Sequence, residues 1–184
     1  MQPDRQLATI LPMLTNIVGR IEPGQLDNRT PCAKFAVRDV LDHMVGGADS
    51  FAPAFRGVDA PSPVEADTDA HPAARFRAAM ANLLDAVQSP GALGRTVEAP
   101  FGSVTGDVFA RFVAFDGLVH GWDLATSTGQ AYDPPEDLVR EVDAFARQAL
   151  APEMRDGDTF AAETEVSSDA GPLERLVAFS GRSV

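Results

Sequence analysis

Leu7, Ile10, Leu11, Leu14, Ile17, Val18 and Ile21 recur at three- and four-residue intervals, with polar positions between them. That spacing gathers the apolar side chains on one stripe of a helix, which Pro23-Gly24 stops. Val37, Val40, Leu41, Met44, Val45 and Ala48 repeat the pattern after the turn-like Asp27–Pro31 and predict a second helix ending near Pro53. Residues 57 to 71 are Gly, Ala, Pro, Asp and Ser with little periodicity, and read as an exposed loop. Phe76, Met80, Leu83, Leu84 and Val87 form a third helix after Pro72, closed by Ser89-Pro90-Gly91. Arg95–Ala99 predicts a short strand, bounded by Pro100 and Gly102. A fourth helix runs from about Thr105 to Ser127, with Gly129 as its stop, and Pro134-Pro135-Glu136 starts a fifth. Thr159–Val166 predicts a second short strand, and Pro172 opens a last short helix carrying Leu173, Leu176, Val177 and Phe179.

Amphipathic helices of this number predict a mainly α bundle, with two short strands pairing at one end. At 184 residues and 45% hydrophobic content the chain is one domain, 1–184, with enough apolar surface for a core. The net charge of -12 argues against nucleic acid or an anionic membrane as partner. Cys32 is the single cysteine, which rules out an internal disulfide. With no signal-like segment and no apolar run near membrane-spanning length, the chain reads as cytoplasmic, as a monomer or homodimer. Phe101–Gly106 is glycine-containing but lacks the lysine that a phosphate-binding loop needs.

Bundle cores host metals on facing helices, and the chain places its histidines accordingly. Asp116 and His120 stand four residues apart in the fourth helix, so both project from one face, one turn apart. Phe109, Phe112, Val119 and Asp123 share that face. His43 lies in the second helix, off its apolar stripe and in line with Ala36 and Gly47. Two imidazoles and a carboxylate would hold a divalent ion with positions left open, as catalytic rather than structural sites do. The set suits Zn²⁺, Ni²⁺ or Fe²⁺, of which zinc is favoured by abundance. Asp123, one turn past His120, either accepts that ring's second N–H or serves as a solvated acid or local cap. Cys32 is either a thiol activated by the helix that follows or a buried inert one. His71 reads as an exposed loop residue, and Trp122 as core packing.

Thr30-Pro-Cys32, Val37–His43, Phe101-Gly102, Asp116-Gly-Leu-Val-His120-Gly-Trp-Asp-Leu-Ala125, Thr128-Gly-Gln130 and Leu176–Arg182 stand in order along the chain. Together they resemble the actinobacterial metal-binding proteins related to mycothiol-dependent maleylpyruvate isomerase, within the DinB-like group. The resemblance covers roughly residues 5 to 182, and the His-Gly-Trp-Asp-Leu-Ala string with its upstream Asp is its specific part. It implies a DinB-like four-helix bundle, and with the pattern of elements the expectation is an up-down-up-down order with a short two-stranded β element and a short C-terminal helix. It also implies a metal triad falling on His43, Asp116 and His120. The isomerase has Glu at the acid position and a further C-terminal domain, whereas this sequence has Asp116 and reads as the bundle alone. Group members include transferases using low-molecular-weight thiols, which implies mycothiol and an electrophile as partners, for S-transfer or isomerisation. Arg182, ending the Gly-Arg string, either binds a carboxylate of such a cofactor or ties the bundle through a salt bridge. The other functional readings are a metal-dependent hydrolase, with Asp123 or a nearby acid handling protons, and a non-catalytic metal- or ligand-binding stress-related protein.

Overall fold

The computed structural model describes residues 1–59, 72–99, 102–150, 152–155 and 161–184. Six α-helices carry most of these: α1 (Pro3–Val18), α2 (Val37–Arg56), α3 (Pro72–Val87), α4 (Gly106–Thr128), α5 (Glu136–Ala149) and α6 (Pro172–Phe179). The first four form a DinB-like bundle around Leu7, Ile10, Leu14, Phe55, Phe76, Phe115 and Leu118, all fully buried. α5 packs on the outside of α4, and α6 on α5. No helix among the described residues is long and apolar enough to cross a membrane. The loop expected at 57–71 lies outside them from residue 60 on, and His71 with it.

Side-chain contacts fix the direction of each helix. Ile10 and Leu14 meet Gly117, and Leu14 meets Gly121, so α1 and α4 run the same way. Gln130, just past α4, donates to the carbonyl of Ile17 at the corresponding end of α1. α2 runs against α4, because His43 lies by Asp116 while Phe51 stacks edge-on against Phe109. α3 runs with α2, since Arg75 pairs with Asp42 near their starts and Arg56 with Asp85 near their ends. The order is therefore up-down-down-up, which corrects the up-down-up-down order expected. The reason is reach: α2 spans about 30 Å at 1.5 Å per residue, and the connection 57–71 can cover that when extended.

The two-stranded element is present, with one strand in an unexpected place. β1 (Thr96–Ala99) pairs antiparallel with β2 (Gly102–Thr105), Val97 facing Val104. The strand expected at Thr159–Val166 is not formed over its described part, 161–166. There the Thr164 amide donates to the carbonyl of Ala178 at the end of α6, and its hydroxyl to the carbonyl of Arg182.

α4 positions the site. Thr105 caps its start by accepting from the Val108 amide, and Gly129 ends it at φ 68°, a left-handed conformation glycine adopts without strain. Within α4, Gly117 and Gly121 allow α1 to approach closely. A methyl group at Gly121 would lie 2.6 Å from the Tyr132 ring and 2.9 Å from Leu14, and one at Gly117 would lie 3.0 Å from Ile10. Alanine is the better helix former by about 1 kcal/mol, but overpacking costs about 1–3 kcal/mol. Gly121→Ala is therefore expected to destabilise the protein and Gly117→Ala to do so less. Gly46→Ala, on the exposed side of α2 with open space around it, should stabilise. Urea unfolding of the three variants tests this order.

Candidate metal centre

His43 reaches α4 from α2, and its Nε2 lies 3.5 Å from Oδ1 of Asp116. Nε2 of His120 lies 3.4 Å from the same oxygen. The three donor atoms fall within 4.8 Å of one another, and the two imidazoles meet edge-on with centroids 5.0 Å apart. Separations of 3.4–3.5 Å are long for hydrogen bonds. They match two ligands of one ion, since donors about 2.1 Å from a tetrahedral centre stand about 3.4 Å apart. The structure thus brings together the three residues expected to share a site.

The triad grades from surface to interior: His43 is exposed, Asp116 half-buried and His120 buried. Nδ1 of His120 lies 2.9 Å from Oδ2 of Asp123, so its N–H donates there and Nε2 keeps a free lone pair facing Asp116. Asp123 is wholly buried and accepts from Arg182, whose Nη2 lies 3.0 Å away. Of the two readings weighed for Asp123, the ring-orienting contact is the one formed, and a solvated acid is excluded. Arg182 forms the salt bridge and also donates to the carbonyl of Ser180, while still lining the chamber beside the triad.

Burial pushes the Asp116 carboxyl up, but the imidazoles of His120 and His43 outweigh it and hold the group below the usual carboxylate range. His43 is raised above its ordinary value by its contact with Asp116, against burial and the Arg182 charge. With no cation bound, these two shifts favour a protonated His43 beside an ionised Asp116.

Two chambers meet at the triad. A polar one of about 260 Å³ is bordered by Cys32, Lys34, Phe35, His120, Ser180 and Arg182. An apolar one of about 200 Å³ lies toward the bundle interior. His43 and Asp116 line both. Cys32 is half-buried in the polar chamber, where burial raises its thiol pKa despite the Arg182 charge. Of the two readings of Cys32, the raised pKa favours the unreactive thiol, with desolvation the largest cause. Trp122 is half-buried against the core.

One residue at the site was not anticipated. Phe35 stands with its ring centroid 5.5 Å from that of His43 and 6.1 Å from that of His120. A tight turn holds it: the Phe35 amide donates to the carbonyl of Cys32, and the Thr30 amide and hydroxyl both donate to the carbonyl of Phe35. A lone aromatic in an irregular segment gives no periodic signal.

No solved structure matches this chain. Two uncharacterized proteins of Mycobacterium tuberculosis, from strains CDC 1551 and H37Rv, are each 34% identical over 172 residues, 91% of either chain. The mycothiol maleylpyruvate isomerase N-terminal domain matches residues 7–125, a span that holds His43, Asp116 and His120 together and stops short of Arg182. By that match the chain belongs to the family of this mycothiol-related domain.

Proposed function

We propose that the protein is a metal-dependent enzyme that binds one divalent ion, preferably Zn²⁺, through His43, Asp116 and His120 and uses a mycothiol-type thiol for S-transfer or isomerisation. The observation carrying the metal is the pair of 3.4 and 3.5 Å separations from one Asp116 oxygen to two imidazole nitrogens. Family membership supports the thiol, and the polar chamber beside the triad supplies room and polar groups for it. A bound divalent ion would lower the pKa of a thiol that reaches it. Asp123 holds the His120 ring in the tautomer that leaves Nε2 available, and Arg182 holds Asp123. Phe35 stands beside both rings and gives the polar chamber an aromatic wall there. The N–H groups of Arg182 not engaged by Asp123 and Ser180 are those we assign to a polar group of the cofactor.

A hydrolase would need a base free to take a proton from water. Asp123 is fully buried between His120 and Arg182 and does not meet that need, which favours thiol chemistry. Whether the reaction is transfer or isomerisation is decided by substrate.

Untagged protein is expected to carry close to one equivalent of metal, and the His43→Ala/His120→Ala double variant none, by elemental analysis. Incubation with mycothiol and monochlorobimane should give conjugation that the double variant loses. Conjugation equally fast in both proteins would remove the metal from the mechanism, and full metal retention in the variant would move the site.

A further inference from the structure

We propose that the apolar chamber behind His43 and Asp116 binds the body of a small aromatic or compact aliphatic substrate, whose oxygen-bearing head reaches the metal triad. The inference rests on the metal reading above for the head group, and is independent of the thiol.

The chamber is lined by residues of α1, α2, α3 and α4 together with Met154. Among the described residues lining it, the polar side chains are His43 and Asp116 alone, both at the triad. A ligand seated there meets hydrogen-bonding groups at one end only. That selects a molecule with an apolar body and one polar terminus, and disfavours sugars, peptides or phosphates, whose polar groups would be buried unpaired. The size agrees: the chamber is about 200 Å³, and an apolar cavity of about 150 Å³ takes up benzene.

Three features make this a site rather than loose packing. Gly47 stands one helical turn past His43 and makes room for the Phe51 ring, which lies 3.2 Å from where a methyl group would be. Phe51 and Phe109 pack edge-to-face at 4.7 Å, giving a rigid aromatic wall. Met44, Met80 and Met154 supply the rest with flexible, polarizable side chains that adapt to ligands of different outline. The polar chamber, which shares the same two ligands, differs in its lining: it carries Lys34, Ser180 and Arg182. Two reactants of unlike polarity would thus reach the triad through separate chambers.

The five methionines provide the test, since three line the chamber and Met1 and Met13 do not. Zinc-loaded protein labelled with ¹³C at the methionine methyl groups is titrated with benzohydroxamate and with acetohydroxamate, which share a head group and differ in the body. Benzohydroxamate should bind at least about tenfold more tightly, as burial of a phenyl ring implies. It should shift Met44, Met80 and Met154 and leave Met1 and Met13 in place. Val113→Trp, which fills the chamber from α4, should abolish the preference while keeping the zinc content and the acetohydroxamate affinity. Should that variant fail to fold, the two affinities and the shift pattern of the unmodified protein decide the matter. Equal affinities, or shifts confined to Met1 and Met13, overturn the proposal. Toluene added to zinc-free protein should move the same three methyl groups. No shift with toluene overturns the chamber whatever the metal does, whereas toluene shifts without zinc binding overturn the metal reading and leave the chamber standing. Failure of mycothiol conjugation changes none of these readouts.

Discussion

Asp123→Ala is expected to lower the unfolding free energy by about 3–5 kcal/mol and to weaken metal affinity about 10–100-fold. Both effects follow from its position between two buried partners. Its carboxylate is wholly buried, 3.0 Å from the Arg182 guanidinium, itself nearly buried. Deleting the acid leaves that cation in the interior without its counter-charge, and the loss greatly exceeds what the intact pair contributes. The same carboxylate takes the Nδ1–H of His120, so its removal also frees the ring to rotate or change tautomer. Asp123→Asn separates the two roles, because its side-chain oxygen still accepts from His120 while the charge opposite Arg182 is gone. The asparagine variant should therefore retain more affinity than the alanine variant while remaining strongly destabilised. Urea unfolding and zinc titration measure the two quantities. An alanine variant within about 1 kcal/mol of the parent, with unchanged affinity, would show that this buried chain of contacts is not what orients His120.

The second large effect is a metal-dependent stability whose size depends on pH. Metal held at a hundred times its dissociation constant stabilises the folded state by about 2.7 kcal/mol, worth roughly 5–10 °C in melting temperature for a chain of this length. The sign of the pH dependence follows from His43. Its folded value is raised, so in the apo protein its protonation contributes stability that is fully present below its ordinary value of about 6.5 and is lost as pH rises through the folded value. Metal binding works in the opposite sense, because both imidazoles must be neutral to donate. The apo protein thus loses stability with rising pH where the loaded protein gains it. Asp116 is held low, so it stays ionised below the usual carboxylate range and does not set the acid limit. The melting temperatures of loaded and chelator-treated protein should therefore coincide near pH 5 and separate progressively above about pH 6.5. A constant offset across that range would mean that the stabilising ion is held by groups other than these histidines.

Periodicity exposed the helices because each buries a stripe against the others, and a stripe is a local pattern. It could not expose the order of their directions. That depends on whether the connection 57–71 turns back at once or travels the length of the bundle, and composition is silent on the choice. β2 escaped notice because only Val104 in its four residues is apolar and partly buried, too little for alternation to register. Asp116 and His120 were legible from their four-residue spacing, and His43 from its order relative to them in a recognised pattern. The structure places all three donors together, and the bound ion is the proposal built on that placement. Asp123 and Arg182 were each singled out, but their mutual contact joins residues 59 apart, and no spacing rule announces a pair at that distance. Phe35 and the apolar chamber were not legible at all. Both arise where separate elements meet.

Asp116 and His120 are each followed directly by a glycine, and those glycines seat α4 against α1. One four-residue period thus writes two messages on adjacent faces of the same helix, one chemical and one mechanical. The two differ in what mutation can do to them. A lineage that loses His43 would forfeit the proposed ion and keep a serviceable scaffold. One that fills position 121 strains the seam that carries its donors, and weakens scaffold and chemistry together. Descent within such a fold should therefore leave behind bundles that have lost their donors and kept their glycines far more often than the reverse.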